Sequence, residues 1–191
     1  MKPLAFFLLA SLGSCTSPTD TPSAAASYVA EAPLPQGWPQ PGPYDQVSLK
    51  SYPAYRAAFT QQKGESRAFW KLFSHIRQNK IPMTAPLEME MDLAKPDGEM
   101  ASMAFLYQSP AVGKTGPAGN AVQVRDVAAT RALSYTWQGP DSKENLTRAK
   151  TALETKMAAE NIQPESFRLL GYNGPRTPRS KRTWELQALL K

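Results

Sequence analysis

Apolar residues recur along this chain at two different spacings, and each switch between them marks an element. Val47 to Thr60 is rich in strand-forming residues, with an interruption at Pro53. Gly64 and Glu65 open a helix in which Phe69, Leu72, Phe73 and Ile76 fall at three- and four-residue steps and share one face. Arg67, Lys71, Ser74 and Arg77 take the other face. The period then drops to two: Leu87, Met89, Met91 and Leu93 alternate with Glu88, Glu90 and Asp92, a strand with one buried face. Met89 and Met91 read as core, and the three acidic residues read as a solvated face. Asp97-Gly98 is a turn signal, and Met100 to Gln108 is the partner strand of a hairpin. Residues 109–120, rich in Gly and Pro, form a loop.

The second half repeats this order. Val122 to Val127 and Thr130 to Trp137 are strands, the latter with Arg131, Leu133, Tyr135 and Trp137 on one face. Asp141 with Glu144 has the spacing of a capping box, and a helix follows to about Glu160 with Leu146, Ala149, Leu153 and Met157 inward. Phe167 to Tyr172 and Thr183 to Leu189 close the chain as strands. Strand, helix, strand, strand thus appears twice, which predicts a pseudo-twofold α+β domain.

The N-terminus follows a different logic. Lys2 precedes an apolar run from Leu4 to Leu12, shorter than the ~20 residues a membrane span needs. This fits an export signal. Leu12-Gly13-Ser14-Cys15 resembles the lipobox of bacterial lipoproteins, in which the chain is cut before the cysteine and the cysteine is lipidated. Cys15 is also the single cysteine, so no internal disulfide competes for it. Pro18, Pro22, Pro33, Pro35, Pro39, Pro41 and Pro43 punctuate the next stretch, which reads as a semi-extended tether. The expected organisation is a signal peptide over 1–14, a lipidated Cys15 with its tether over 15–43, and one domain over 44–191. It places the protein in a bacterial cell envelope, lipid-anchored and facing the periplasm. Thr16, where an Asp would signal inner-membrane retention, favours the outer membrane of a Gram-negative host.

The formal charge of +6 raises the question of nucleic acid. Export argues against that partner, and anionic lipid or an acidic small molecule suits the balance better. A hydrophobic fraction of 41% with mean hydropathy −0.44 is that of an ordinary soluble domain.

Three segments carry a family resemblance. The first is Tyr52-Pro53-Ala54-Tyr55-Arg56-Ala57-Ala58. The second runs from Phe69-Trp70-Lys71-Leu72-Phe73-Ser74-His75-Ile76 through Asn79 to Lys80-Ile81-Pro82-Met83-Thr84-Ala85-Pro86-Leu87. The third is Gly171-Tyr172-Asn173-Gly174-Pro175-Arg176-Thr177-Pro178, followed by Arg182 and Trp184-Glu185. In this order they resemble the SOUL heme-binding protein family. The resemblance implies a distorted barrel-like sheet flanked by two helices, similar to gyrase-inhibitor-like and multidrug-sensing ligand domains. It implies noncovalent binding of heme or another tetrapyrrole, with the first helix bordering the ligand. Two departures stand out. His75-Ile76-Arg77-Gln78 ends the helix where the family has a Tyr-Ile-Gly type of sequence, and Lys181-Arg182-Thr183-Trp184-Glu185 replaces an Arg-Asn-Glu-Val-Trp pattern.

Heme asks for a flat apolar slot, cations near its propionates and, optionally, an axial ligand. His75 is the single histidine and lies at the edge of the apolar stripe, about 100° from its centre on a helical wheel. Two readings are open for it: an axial ligand to heme iron, or a boundary histidine with a local hydrogen bond. Arg67 and Lys71, one turn apart, either pair with propionates or are simply solvated. Trp70 lies between the two helix faces, where its indole is placed to stack on a planar ligand. Met83 sits in the shared motif at a strand entry. Arg176, Arg179, Lys181 and Arg182 are a basic run suited to lipid headgroups or propionates, or exposed loop charge. No catalytic motif is present: no nucleophile elbow with its triad, no His-Glu-x-x-His and no phosphate loop. The expected function is therefore holding or trafficking a tetrapyrrole or other hydrophobic planar molecule. A small enzyme on the same fold and an envelope interaction protein without a small ligand are the alternatives.

Overall fold

A computed structural model describes residues 27–95 and 98–191. Cys15, the signal segment and Asp97 of the predicted turn lie outside the described residues. The elements run β1 (Val47–Tyr52), β2 (Tyr55–Thr60), α1 (Glu65–Gln78), β3 (Leu87–Asp92), β4 (Glu99–Leu106), β5 (Gly116–Pro117), β6 (Gln123–Val127), β7 (Thr130–Gln138), α2 (Lys143–Glu160), β8 (Ser166–Gly171) and β9 (Thr183–Leu190). A single 3-10 turn, Arg179–Lys181, precedes β9.

The strands form one antiparallel sheet in the order β1-β7-β9-β8-β3-β4-β2-β6-β5. Its symmetry is visible in that order. The unit β2-α1-β3-β4 lays its strands down as β3-β4-β2, and β7-α2-β8-β9 lays its own down as β8-β9-β7. The two units meet back to back where β3 pairs with β8. Each is completed by a strand belonging to the other half of the chain: β1 pairs with β7, and β6 with β2. The predicted pseudo-twofold α+β plan, a sheet flanked by two helices, is therefore present. The sheet is open, with β1 and β5 at its two edges.

Both helices cover the same sheet face. Leu72 and Ile76 of α1 and Ala149, Leu153 and Met157 of α2 are buried in one core with Met89, Met103, Phe105, Leu133, Trp137 and Leu186. These strand residues sit at alternate positions, as the period-two pattern demands. Burying side chains of this size stabilises by about 1.5–3 kcal/mol each before entropy is counted. The cap of α2 differs from expectation. Ser142, not Asp141, is the N-cap, and its hydroxyl accepts from the Asn145 N–H at 3.4 Å. Asp141 faces Arg179 instead, at 3.4 Å.

The opposite sheet face is covered by the chain that precedes β1. The tether expected over 15–43 behaves as cover from Ser27 onward. Trp38 is buried against Tyr52 and Tyr55, and Pro35 and Pro41 are buried beside it. Proline explains why this cover is neither strand nor helix: the stretch lacks the donors a ladder needs. A few isolated bonds fasten it. Gln36 N–H donates to Gln108 O (2.9 Å), Ala85 N–H to Pro33 O (3.0 Å) and Asn173 Nδ2 to Val29 O (2.7 Å). Thr177 Oγ1 and the Gly174 N–H both reach the Glu31 carboxylate. Among the described residues no helix is long and apolar enough to cross a membrane.

Candidate functional site

Two regions carry chemistry, one on each side of the sheet. The first is the outer surface of α1. The helix buries Ala68, Leu72, His75 and Ile76, and Phe69 and Phe73 lie half-buried at the edge of the same core, Phe69 edge-on to Phe105 at 5.3 Å. Phe69 and Phe73 stack with centroids 5.9 Å apart and planes 11° from parallel. Trp70 stands edge-on to both at 5.5 Å, and 59% of its surface is exposed. An indole left this open costs hydration free energy that a flat ligand would recover. Arg67 is exposed, Lys71 half-buried, and the Arg77 guanidinium lies 5.9 Å from the Phe73 ring centroid. Three cations thus border an aromatic step on one helix.

His75 is placed differently from the expected edge position: it is buried. Asn79 Nδ2 lies 3.2 Å from Nδ1 and also donates to the His75 carbonyl at 2.9 Å. Donation to Nδ1 leaves the ring proton on Nε2, which lies 2.7 Å from the Tyr107 hydroxyl. Burial lowers the pKa of His75, so the ring is neutral at physiological pH. The Tyr107 hydroxyl is pushed up to about 12 by burial. Met83, in the segment between α1 and β3, is 39% exposed. Lys71, Ser74, His75 and Asn79 also line a recess of about 300 Å³ closed on its far side by residues 118–120 and Val122.

The second region lies under Trp38, and sequence reasoning missed it. Arg168 of β8 is buried and forms its centre. Its Nε donates to Gln187 Oε1 (2.6 Å), and its Nη1 donates to Glu88 Oε2 (3.0 Å) and the Tyr55 hydroxyl (3.0 Å). Its Nη2 has no hydrogen-bond partner among the described residues. The guanidinium carbon lies 5.0 Å from the Tyr52 centroid and 5.4 Å from that of Trp38. Burial alone would lower the Arg168 pKa, but the charge of Glu88 and the surrounding tyrosines raise it.

Glu185 of β9 is the other buried carboxylate. It accepts from Tyr52 (2.5 Å), Lys50 Nζ (2.8 Å), Thr136 (3.2 Å) and Tyr172 (3.3 Å), and from Gln187. Burial would raise its pKa; the charge of Lys50 and these donors outweigh it and hold it below the usual carboxylate range. Burial also drives the Tyr52, Tyr55 and Tyr172 hydroxyls well above their ordinary value, so all three stay protonated donors.

The solvated acidic face expected on β3 is corrected at Glu88, which is buried and ion-paired, while Glu90 is exposed and accepts from Ser102 at 2.9 Å. The signal was present but ambiguous. Thr183, Glu185 and Gln187 alternate with Trp184, Leu186 and Ala188 as they would on a wet face. Nothing in β9 itself reveals that another segment covers it. Beyond Trp38 this face opens into two adjoining recesses of about 450 and 880 Å³, which share Phe59, Glu90, Ser102 and Arg125. The smaller is also lined by Tyr55, Glu88 and Arg168.

Of the predicted site residues, α1 carries Arg67, Trp70 and Lys71 together at its surface, His75 lies beneath them in the core, and Met83 follows in the next segment. For heme, the aromatic step fits a porphyrin face and the cations fit its propionates. The imidazole does not fit iron in this arrangement, since both its nitrogens are engaged.

Comparison with known proteins agrees with the fold. The profile of the SOUL heme-binding protein family matches residues 40–188. No curated protein matches the sequence. Among solved structures, the EcmrR C-terminal domain superposes with a TM-score of 0.59 at 15% identity, covering 76% of this chain and 98% of that one. EcmrR bound to DNA gives 0.58 at 17% identity; 76% of this chain is covered, and it spans only 57% of that longer protein. A hydrolase from Listeria innocua gives 0.53 at 13% identity, over 78% of this chain and 93% of that one. At such identities the likeness speaks to fold alone.

Proposed function

Because the chain belongs to the SOUL heme-binding protein family, we propose that it holds or traffics a heme-like tetrapyrrole, bound noncovalently on the outer face of α1. The observation that carries this reading is Trp70, a largely exposed indole set between Phe69 and Phe73 and flanked by Arg67 and Lys71. Covering that step with a macrocycle removes apolar surface from water, worth about 25 cal/mol per Å². Arg67, Lys71 and Arg77 then neutralise carboxylates at its rim. Heme brings a redox-active iron. The chain's part is to bind the ring face and orient the propionates, with His75 kept out of coordination by Asn79 and Tyr107. The anchor belongs to the same proposal: Cys15 carries lipid, and the domain works at the envelope membrane facing the periplasm.

Hemin titration tests it. The expected result is a saturable Soret shift at micromolar protein, weakened about tenfold by Trp70→Ala and unchanged in shape by His75→Ala. No saturable shift, or a Trp70→Ala variant that binds as well as the parent, overturns the reading. Cys15→Ser should release the mature chain from membranes, and a chain that stays bound overturns the anchor.

A second reading, a small enzyme acting on a hydrophobic compound, draws on the two buried carboxylates Glu88 and Glu185. Glu185 accepts on both oxygens beneath the Trp38 cover, and Glu88 is tied through Oε2 to Arg168 and Tyr55, so each carboxylate is committed to a structural partner.

A further inference from the structure

The segment from Ser27 to Asp45 covers the sheet in an unusual way: it buries polar atoms that it does not satisfy. Arg168 Nη2 and the Tyr28 hydroxyl are both buried without a hydrogen-bond partner among the described residues. Tyr28 belongs to the cover, packing edge-on against Tyr172 at 5.6 Å. Arg168 belongs to the face beneath it. A guanidinium carries five N–H donors, and three of those of Arg168 are used, by Gln187, Glu88 and Tyr55. The remaining pair, on Nη2, is unanswered, and the guanidinium is flanked by the Tyr52 ring and the Trp38 indole. An indole offers a donor and a π face but no acceptor. Its own N–H reaches the Tyr172 hydroxyl at a long 3.4 Å. Trp38 therefore fills an aromatic seat made by Tyr52, Tyr55 and Tyr172 while leaving its cation half-answered.

We propose that this seat is a second binding site, distinct from the α1 surface, for a planar aromatic molecule bearing an anionic acceptor, and that Trp38 is its intramolecular occupant. The incoming ring replaces the indole against Tyr52 and Tyr55. Its carboxylate or equivalent accepts from Arg168 Nη2, which Trp38 cannot do. An entry route exists, since Tyr55, Glu88 and Arg168 also line the recess of about 450 Å³ that opens beside the cover. The cover contributes no strand to the sheet ladder apart from one bridge, Tyr44 to Thr136, and is held instead by separate contacts: ring packing at Trp38 and Tyr28, backbone bonds at Pro33 and Gln36, the Glu31 carboxylate on Gly174 and Thr177, and Asp45 on Arg148. Its release therefore breaks no continuous ladder. The site is thus gated: binding and release of residues 27–45 are one equilibrium, and the ligand's affinity is lowered by the fraction of chain in which Trp38 is seated.

The full mature chain, with naphthalene-2-carboxylate and its neutral isostere 2-methylnaphthalene as probes, tests this. In the parent, saturating carboxylate should raise hydrogen exchange at least tenfold at the Gln36 and Ala85 amides, which the cover ties to Gln108 O and Pro33 O. Trp38→Ala should bind the carboxylate at least tenfold more tightly, and the neutral probe at least tenfold more weakly than the carboxylate. Carboxylate binding with Gln36 and Ala85 exchange unchanged overturns the gate, as does no binding to the parent at all. Equal binding of the two probes to Trp38→Ala overturns the role of Arg168 and reduces the seat to an engineered cavity. The parent exchange measurement decides the matter even if Trp38→Ala folds poorly.

Discussion

Glu88 and Arg168 meet across the seam between the two halves of the sheet, with Glu88 Oε2 3.0 Å from Arg168 Nη1 and both side chains buried. They are diagonal rather than direct neighbours: Glu88 registers with Leu170, and Arg168 with Glu90. A diagonal step of ~7–8 Å is within an arginine's reach. Removing one member of such a pair strands the other in low dielectric, so Arg168→Leu should lower stability by about 3–5 kcal/mol. The double variant Glu88→Leu/Arg168→Leu should recover part of that loss, because two apolar side chains leave no orphan charge. Urea unfolding of the four proteins of this cycle measures the coupling. A double variant no more stable than Arg168→Leu alone would contradict the pairing argument.

That pair also shows where sequence reasoning stops. The period-two alternation of β3 was legible, and so were both helices, the hairpin and the doubled order of elements. These are local signals, set by which positions within one element face inward. Glu88 looked solvated because its strand has an apolar opposite face, and a strand cannot report what lies over its polar side. The cover is a proline-rich stretch beginning before residue 44, whose composition reads as tether. Its single tryptophan, Trp38, carries the signal, since an isolated indole among prolines needs a place to be buried. Arg67, Trp70 and Lys71 were legible for the converse reason: helix periodicity alone puts them outside.

His75 should make stability depend on pH in one direction. Burial lowers its folded-state pKa, so between that value and the unfolded value of about 6.5 the unfolded chain binds more protons than the folded one. Stability is then full above about pH 6.5 and falls as pH drops through this window, levelling off below the folded pKa. It is the single histidine, and carboxylates titrate lower, so the slope can be assigned. Thermal unfolding from about pH 8 to about pH 5 should show the decline in the parent and a flatter profile in His75→Phe. Identical profiles would mean that the imidazole titrates freely in the folded protein.

The cap of α2 separates two adjacent residues. Ser142 accepts from Asn145 N–H and satisfies a donor that the helix cannot. Ser142→Ala should therefore cost about 1 kcal/mol. Asp141 meets an exposed Arg179, and such surface pairs are worth roughly 0–1 kcal/mol, so Asp141→Ala should change little. Urea midpoints of the two variants decide between them, and a larger loss for Asp141→Ala would restore the cap that spacing alone suggested.

Gly171 ends β8 directly opposite Trp184 of β9, and the reason it is glycine is steric. A Cβ built there would stand 2.8 Å from Trp184 Cζ3 and 3.2 Å from Cη2, closer than packed atoms sit. The indole lies flat across the glycine on the helix-covered face, where Trp184 is buried and has little room to retreat. Gly171→Ala should thus overpack the core and destabilise by about 1–3 kcal/mol, although alanine is otherwise the better strand residue. Shrinking the partner should relieve the clash: Trp184→Leu costs stability alone, but in the Gly171→Ala background it should cost less. Urea unfolding of the two single variants and the double gives the interaction energy, with near-ultraviolet dichroism following the indole's environment. If the two losses simply add, the close approach of ring to backbone is not what requires glycine at this position.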